Sequence, residues 1–229
     1  MMTAAVNHYF RSSIGRKQLV AITGLLLCGF LVGHLLGNFL LLVGPDAFNL
    51  YAYKLFSLGG LLYVIEGGLA LVFITHLGLA IKLNIENVEA RGGSKRYFLK
   101  KKTGRGTTFM SQTMPITGLV LLVFIIIHLK SLKFGTHYTT MVDGTEMRDI
   151  YKTTMEYFSS LGAVIWYVVA MTAAALHTAH GFASAFQSMG WNHGKYMKCV
   201  KNVGYLYAIV VAGGFAFISV WAYLKGVNP

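Results

Sequence analysis

The chain has 229 residues, of which 55% are hydrophobic and only 12% are charged. Soluble domains carry about 25% charged residues, so this composition excludes an ordinary soluble domain, a disordered chain and a disulfide scaffold. Lys and Arg number 20 against 8 Asp and Glu. In a membrane protein this excess sets the orientation of the spans and does not indicate nucleic acid as a partner. The 8 histidines equal the acidic residues in number.

Five stretches of the sequence are long and apolar enough to cross a lipid membrane, which takes about 20 residues. They are residues 18–43, 58–81, 114–129, 161–186 and 203–224. The sequence therefore predicts an all-α fold, an integral membrane bundle of five helices that forms a single domain over residues 1–229. The first apolar run is too long for a secretory signal, so we interpret it as an uncleaved span. No internal repeat is obvious.

Most of the basic residues fall in the N-terminal tail and in the connections after the second and fourth spans. Basic residues accumulate on the cytoplasmic side of a membrane protein. We therefore expect a cytoplasmic N-terminus and a C-terminus outside. The basic run from Lys95 to Arg105 is a candidate docking surface for soluble subunits, although the positive-inside rule alone accounts for such a run.

Each of the first four spans carries a histidine, and a polar group within a span is a candidate functional residue because it is costly there. A single such histidine is often a hydrogen-bonded packing residue, whereas one in each of four spans favours function. These histidines are His34, His76, His128 and His177. From the helical rise, His34 and His128 lie about 26 Å from the basic end of their spans, and His76 lies about 9 Å from it. His177 falls in the same half as His76. The spacing predicts two histidine pairs at two depths.

Two such pairs are what two haem groups require, because each iron takes one imidazole from either side of its ring. Zinc would need its ligands to converge on one point, and a proton relay is possible but does not demand pairing. His180 shares a helix face with His177, so it is a second candidate ligand, a propionate partner or a packing residue, and the spacing favours His177. Cys28 and Cys199 form no CxxCH motif, which excludes covalent c-type haem.

Several segments resemble the cytochrome b membrane anchor of succinate dehydrogenases and fumarate reductases, of the single-chain, five-helix, dihaem type. They are Ser12 to Lys17, Thr23-Gly24, Gly33 to Asn38 and His177 to Gly181. The resemblance covers essentially the whole chain. It implies two haem b groups, with His34 and His128 as the axial iron ligands of the distal haem and His76 and His177 as those of the proximal haem.

The resemblance also implies partners and a reaction. Relatives of this type sit beneath a flavoprotein subunit and an iron–sulfur subunit, and they exchange electrons with menaquinone or another quinone in the cytoplasmic membrane of a bacterium. The present sequence has no dinucleotide motif and no cysteine cluster. We therefore expect the quinone-reactive subunit of an oxidoreductase, with succinate or fumarate chemistry on a partner.

Glu66 is the candidate for quinone protonation, because it is the acid well inside a span. The resemblance supports this role, since family members carry a helix-two glutamate implicated in menaquinone chemistry. A hydrogen-bonded structural glutamate is the alternative. Ser13, Arg16 and Lys17 are candidates to bind haem propionates at the basic end.

Two other functions remain open. One is a dihaem anchor of a different respiratory complex, such as a hydrogenase or a formate dehydrogenase. The other is a transporter or proton channel that uses membrane histidines without haem, although the interrupted helix pairs of many transporters are missing from the sequence.

Overall fold

The computed structural model describes Tyr9, residues 12–90 and residues 109–227, so the basic run from Lys95 to Arg105 lies outside the described residues. Five helices are long and apolar enough to cross a membrane, and the chain is a multi-pass membrane protein. These helices are α1 (Ser13–Val43), α3 (Gly60–Ala90), α4 (Phe109–His128), α6 (Leu161–Ser188) and α7 (Gly194–Val227). A π-helical turn, Leu129–Lys133, continues α4.

Every predicted span is found, and several helices extend beyond the predicted bounds. Helix α1 begins at Ser13 because the Ser12 side chain caps it, accepting a hydrogen bond from the Gly15 amide at 3.0 Å. Helix α3 runs nine residues past the predicted end at residue 81, and α7 begins nine residues before the predicted start at residue 203. Hydropathy marks only the part of a helix that lies in hydrocarbon, whereas the backbone hydrogen bonds continue into the polar flanks.

The described residues are all-helical as predicted, with one short β-hairpin added in the connection between the third and fourth spans. Strand β1 (Thr139–Val142) pairs antiparallel with β2 (Thr145–Arg148), and Val142 lies opposite Thr145. The two turn residues, Asp143 and Gly144, have φ values of 49° and 76°. An Asp-Gly pair with positive φ favours a tight hairpin because its twist matches that of the strands.

Two short helices complete a cap at the end of the bundle where α1 ends. They are α2 (Pro45–Phe56) and α5 (Ile150–Phe158). Asn49 of α2 is 1% exposed and joins them. Its Nδ2 donates to Asp149 Oδ1 at 3.0 Å, and its Oδ1 accepts from the Tyr151 amide at 2.9 Å. Asp149 also caps α5, so one buried amide fixes the position of both cap helices.

The spanning helices pack as two neighbouring pairs, α1 with α3 and α4 with α6, and α1 also packs against α6. Helix α7 packs along α6. The largest cluster of buried side chains lies towards the cap and includes Leu35, Phe158 and Tyr167. No residue of α3 is buried, so this helix joins the bundle through partly exposed side chains.

Candidate functional site

The structure brings together the four span histidines as two pairs. In the distal pair, His34 on α1 and His128 on α4, the ring centroids are 5.8 Å apart and the ring planes differ by 87°. In the proximal pair, His76 on α3 and His177 on α6, the centroids are 6.5 Å apart and the planes differ by 66°. These are the same partners that the sequence placed at equal depth.

The spacing within each pair fits axial ligation of a haem iron. A metal–imidazole bond is about 2.0–2.1 Å long, so two imidazoles on opposite sides of one metal have ring centroids about 6.4 Å apart. The proximal pair has this spacing, and the distal pair is closer by about half an ångström. A small outward movement of the distal rings would therefore bring them to the same spacing.

Each ring is held through Nδ1. Thr23 Oγ1 lies 3.2 Å from His76 Nδ1, Thr117 Oγ1 lies 3.2 Å from His177 Nδ1, and Tyr167 Oη lies 2.8 Å from His128 Nδ1. The contact at His34 is longer: the Asn38 amide nitrogen lies 3.4 Å from His34 Nδ1 and donates to the His34 backbone carbonyl at 2.7 Å. Metal-binding histidines are oriented in this way by a partner on the nitrogen that does not bind the metal.

The other ring nitrogen, Nε2, has no hydrogen-bond partner among the described residues in any of the four histidines. Two imidazoles that merely pack together also have centroids about 4.5–7 Å apart, so the distance alone does not separate packing from ligation. At His76, His128 and His177 the bonding pattern favours ligation, because a hydroxyl oxygen at Nδ1 can accept its N–H and leave the lone pair on Nε2 for a metal. At His34 the neighbour of Nδ1 is the Asn38 amide nitrogen, a donor, so this contact does not favour the same tautomer.

Aromatic side chains surround the distal pair. Phe30 stacks on His34 with centroids 5.2 Å apart, Phe215 contacts His34 at 5.5 Å, and Phe124 contacts His128 at 5.6 Å. These rings make the surroundings of the distal histidines apolar, which suits the hydrophobic face of a macrocycle.

Glu66 forms an ion pair with Lys133, the last residue of the π-helical turn that follows His128. The Glu66 and Lys133 side chains are 36% and 38% exposed, so the carboxylate is less enclosed than its place inside a span suggested. Sequence reasoning missed Lys133, because a lysine at the end of a span is ordinarily an interfacial anchor.

Arg148 of the hairpin stabilises the π-helical turn Leu129–Lys133. Its guanidinium donates to the Lys133 carbonyl at 3.0 Å and to the Leu132 carbonyl at 3.2 Å. Burial lowers the pKa of Arg148 from its ordinary value, but an arginine remains charged at neutral pH. Two buried side-chain nitrogens, Arg148 Nε and Trp166 Nε1, have no partner among the described residues.

The remaining candidates lie at the opposite, basic end of the bundle or within α6. Arg16 forms an ion pair with Glu86 of α3, whereas Ser13 and Lys17 are exposed. His180 is partly buried one turn after His177, with no hydrogen bond to a described residue.

In the described part of the chain, no group of three or more His, Cys, Asp or Glu side chains converges on a possible metal position. Comparisons of the chain with protein-family models, with curated proteins and with solved structures find no match. Function is therefore inferred from the geometry of the two histidine pairs and their Nδ1 partners.

Proposed function

We propose that the chain is a dihaem cytochrome b that carries electrons across a membrane between a quinone and the iron–sulfur subunit of a partner complex. The observation that carries this proposal is the arrangement of the four span histidines as two pairs, with centroids 5.8 and 6.5 Å apart and no hydrogen-bond partner among the described residues at any Nε2. Haem b, when bound at both pairs, supplies one-electron transfer. His34 and His128 would hold the distal haem, and His76 and His177 the proximal haem.

The surrounding residues would orient the ligands and exclude water. The Nδ1 partners orient each ring, whose Nε2 has no hydrogen-bond partner among the described residues. Phe30, Phe124 and Phe215 keep the distal site apolar. The unpartnered nitrogens of Arg148 and Trp166 belong to the cap end of the chain. They are our candidates to bond the distal propionates, because a buried donor without an acceptor is costly.

We place the quinone site beside Glu66. Glu66 and Tyr167 each precede the proximal histidine of their helix by ten residues, which is about 15 Å of helix. Since Tyr167 contacts His128, Glu66 on α3 lies at about the height of the distal pair. Quinol oxidation releases two electrons and two protons, and quinone reduction takes up the same numbers. The Glu66 carboxylate can accept or return one of these protons, and Lys133 holds it at the accessible edge of the bundle.

The proposed setting follows from the charge pattern and from the resemblance. The basic end, with the N-terminus, would face the cytoplasm of a bacterium, and the chain would lie in the cytoplasmic membrane. A flavoprotein subunit would convert succinate and fumarate, and an iron–sulfur subunit would meet the proximal haem. Menaquinone would be the quinone, so the assembly is a succinate:quinone oxidoreductase.

Haem content tests the proposal directly. The purified chain, reduced with dithionite, should show b-type absorption bands and two haems per chain. His34→Ala or His128→Ala should remove one haem and leave a low-spin spectrum from the other, and His76→Ala or His177→Ala should leave the complementary spectrum. Absence of b-type bands would overturn the proposal, and two haems in any of these variants would overturn the assigned pairing.

The two alternative functions differ in what accompanies the chain. A dihaem anchor of a hydrogenase or formate dehydrogenase would bind the same haems but co-purify with a different soluble partner. A haem-free transporter or proton channel would show no b-type bands and would move its substrate or protons in vesicles. The unbonded Nε2 atoms of four paired histidines favour haem over either haem-free function.

A further inference from the structure

Residues 22–34 of α1 and residues 116–128 of α4 form a short internal repeat, which is not obvious from the sequence as a whole. Aligned without a gap, both segments begin with Ile-Thr-Gly-Leu and end with a histidine of the distal pair. Equivalent positions also share a leucine (Leu27 and Leu121) and a phenylalanine (Phe30 and Phe124). Apolar matches arise easily between two membrane spans, so the repeat matters only where equivalent residues make equivalent contacts.

The two threonines of the repeat make such contacts with the proximal histidines. Thr23 Oγ1 lies 3.2 Å from His76 Nδ1 on α3, and Thr117 Oγ1 lies 3.2 Å from His177 Nδ1 on α6. Both threonines are buried. Each copy of the repeat therefore provides one distal histidine and supports one proximal histidine on the helix packed beside it.

The two glycines that follow these threonines adjoin the same rings. A methyl group added at Gly24 would lie 3.1 Å from His76 Cε1, and one added at Gly118 would lie 3.6 Å from His177 Cε1. In each copy the threonine hydroxyl therefore contacts Nδ1 of the histidine, and the glycine leaves space for the adjacent ring carbon, Cε1. The Thr-Gly dipeptide acts as one unit in both copies.

The direction of the hydrogen bonds follows from the other bonds of the threonines. Thr23 Oγ1 donates to the Leu19 carbonyl at 2.7 Å, and Thr117 Oγ1 donates to the Thr113 carbonyl at 3.1 Å. A hydroxyl has one proton, so each oxygen is left to accept a hydrogen bond from Nδ1–H. A histidine protonated on Nδ1 carries its lone pair on Nε2, which is the form that binds a metal.

We propose that Thr23 and Thr117 are positioning residues for the proximal haem, each fixing the tautomer and ring orientation of one axial ligand. This inference rests on the proposed function, since it concerns how the ligands of a bound haem are held. The proximal site is then two copies of one half-site, the first built by α1 with α3 and the second by α4 with α6.

The two half-sites differ in one respect that sharpens the test. His76 Nδ1 also lies 3.2 Å from the Val20 carbonyl, whereas His177 Nδ1 has only Thr117 among the described residues. Loss of the threonine oxygen should therefore matter more at His177 than at His76.

The experiment replaces each threonine by valine, which keeps the shape and removes the acceptor. An acceptor at Nδ1 raises the basicity of the ligand, and its loss should favour reduced iron. We expect Thr117→Val to raise the ratio of reduced to oxidised proximal haem about tenfold at a fixed potential, a shift of about 59 mV for one electron. We expect about a threefold change in Thr23→Val, because the Val20 carbonyl remains. Redox titration of the purified full chain, followed by haem absorbance, measures both.

Thr172→Val is the matched control, because Thr172 is exposed on α6 and its hydroxyl bonds the Val168 carbonyl. It should leave both haem potentials unchanged, and Thr117→Ser, which keeps the oxygen, should retain the wild-type proximal potential. If Thr117→Val loses haem, Thr117→Ser decides: retention of the wild-type spectrum supports the inference, and loss overturns it. An unchanged proximal potential in Thr117→Val also overturns it. A wild-type chain without haem overturns the proposed function instead.

Discussion

Tyr167 on α6 places its hydroxyl 2.8 Å from Nδ1 of His128 on α4. The tyrosine is 6% exposed and packs edge to face against Phe124, with centroids 4.9 Å apart. The phenol thus holds the His128 ring from a neighbouring helix, whereas the Nδ1 partner of His34 comes from its own helix at 3.4 Å. The two ligands proposed for the distal haem are therefore held unequally, and His128 is the more firmly oriented.

Removing this hydroxyl should change the distal haem selectively. In Tyr167→Phe the aromatic packing is kept while His128 Nδ1 loses its partner, so the ligand becomes less basic and the distal haem potential rises. Both haems should remain bound. Redox titration would check this, with Tyr205→Phe on the exposed side of α7 as control. A shift of the proximal haem alone, assigned through the single-histidine variants, would contradict the assignment of Tyr167 to His128.

Glu66→Gln should abolish quinone turnover while both haems stay bound. The amide keeps the size of the side chain but accepts no proton in the working pH range and breaks the ion pair with Lys133. We expect at least a hundredfold loss of quinol-dependent haem reduction, within the range of a lost general acid or base. Glu89→Gln, an exposed position at the other end of α3, is the control. Full quinone activity in Glu66→Gln would remove Glu66 from the reaction.

The spans and the partners within each histidine pair were predictable from the sequence, because both depend on one-dimensional quantities. A run of about 20 apolar residues identifies a span. Counting residues from the basic end then gives the depth of each histidine, since helix rise is constant. His34 and His128 share a depth and are 5.8 Å apart between ring centroids in the structure.

The partners of these residues were not predictable, because they depend on rotation about the helix axes and on irregular segments. Depth says nothing about which helix faces Nδ1 of His128, so the contact with Tyr167 was missed. The π-helical turn Leu129–Lys133 rotates the end of α4 and leaves Lys133 beside Glu66, and apolar periodicity carries no signal for such a turn. The hairpin was not predicted, because its Asp143-Gly144 turn lies in a connection between spans, where only the charge pattern entered the prediction.

Asn49→Ala should destabilise the cap. It deletes the acceptor of the Tyr151 amide and one donor to Asp149, whose Oδ1 still accepts from the Lys152 amide. The cost should be about 1–3 kcal/mol, because the Tyr151 amide is left without its acceptor. Thermal unfolding in detergent, followed by circular dichroism, would measure it, with the exposed Asn202→Ala on α7 as control. An unfolding temperature equal to that of the control would show that the cap does not depend on Asn49.

Gly24→Ala should weaken binding of the proximal haem, whereas Gly118→Ala should stabilise the fold and keep both haems. Both glycines occupy the same position in the repeat. Alanine within a helix is more favourable than glycine by about 0.5–1 kcal/mol. At Gly118 the added methyl would lie 3.6 Å from His177 Cε1, an ordinary contact, so Gly118→Ala should raise the unfolding temperature and keep both haems. At Gly24 the distance to His76 Cε1 would be 3.1 Å, so the ring must move by a few tenths of an ångström.

Because the ring of His76 is also held at Nδ1 by Thr23 and the Val20 carbonyl, that movement should disturb iron ligation. We therefore expect Gly24→Ala to reduce occupancy of the proximal haem severalfold and to leave the distal haem in place. Haem content per chain and the reduced spectrum measure this, and Gly118→Ala is the matched comparison. If Gly24→Ala holds two haems with an unaltered spectrum, the close approach of α1 to His76 is not needed for haem binding. If instead Gly118→Ala loses the proximal haem, the space around His177 is tighter than the 3.6 Å contact indicates.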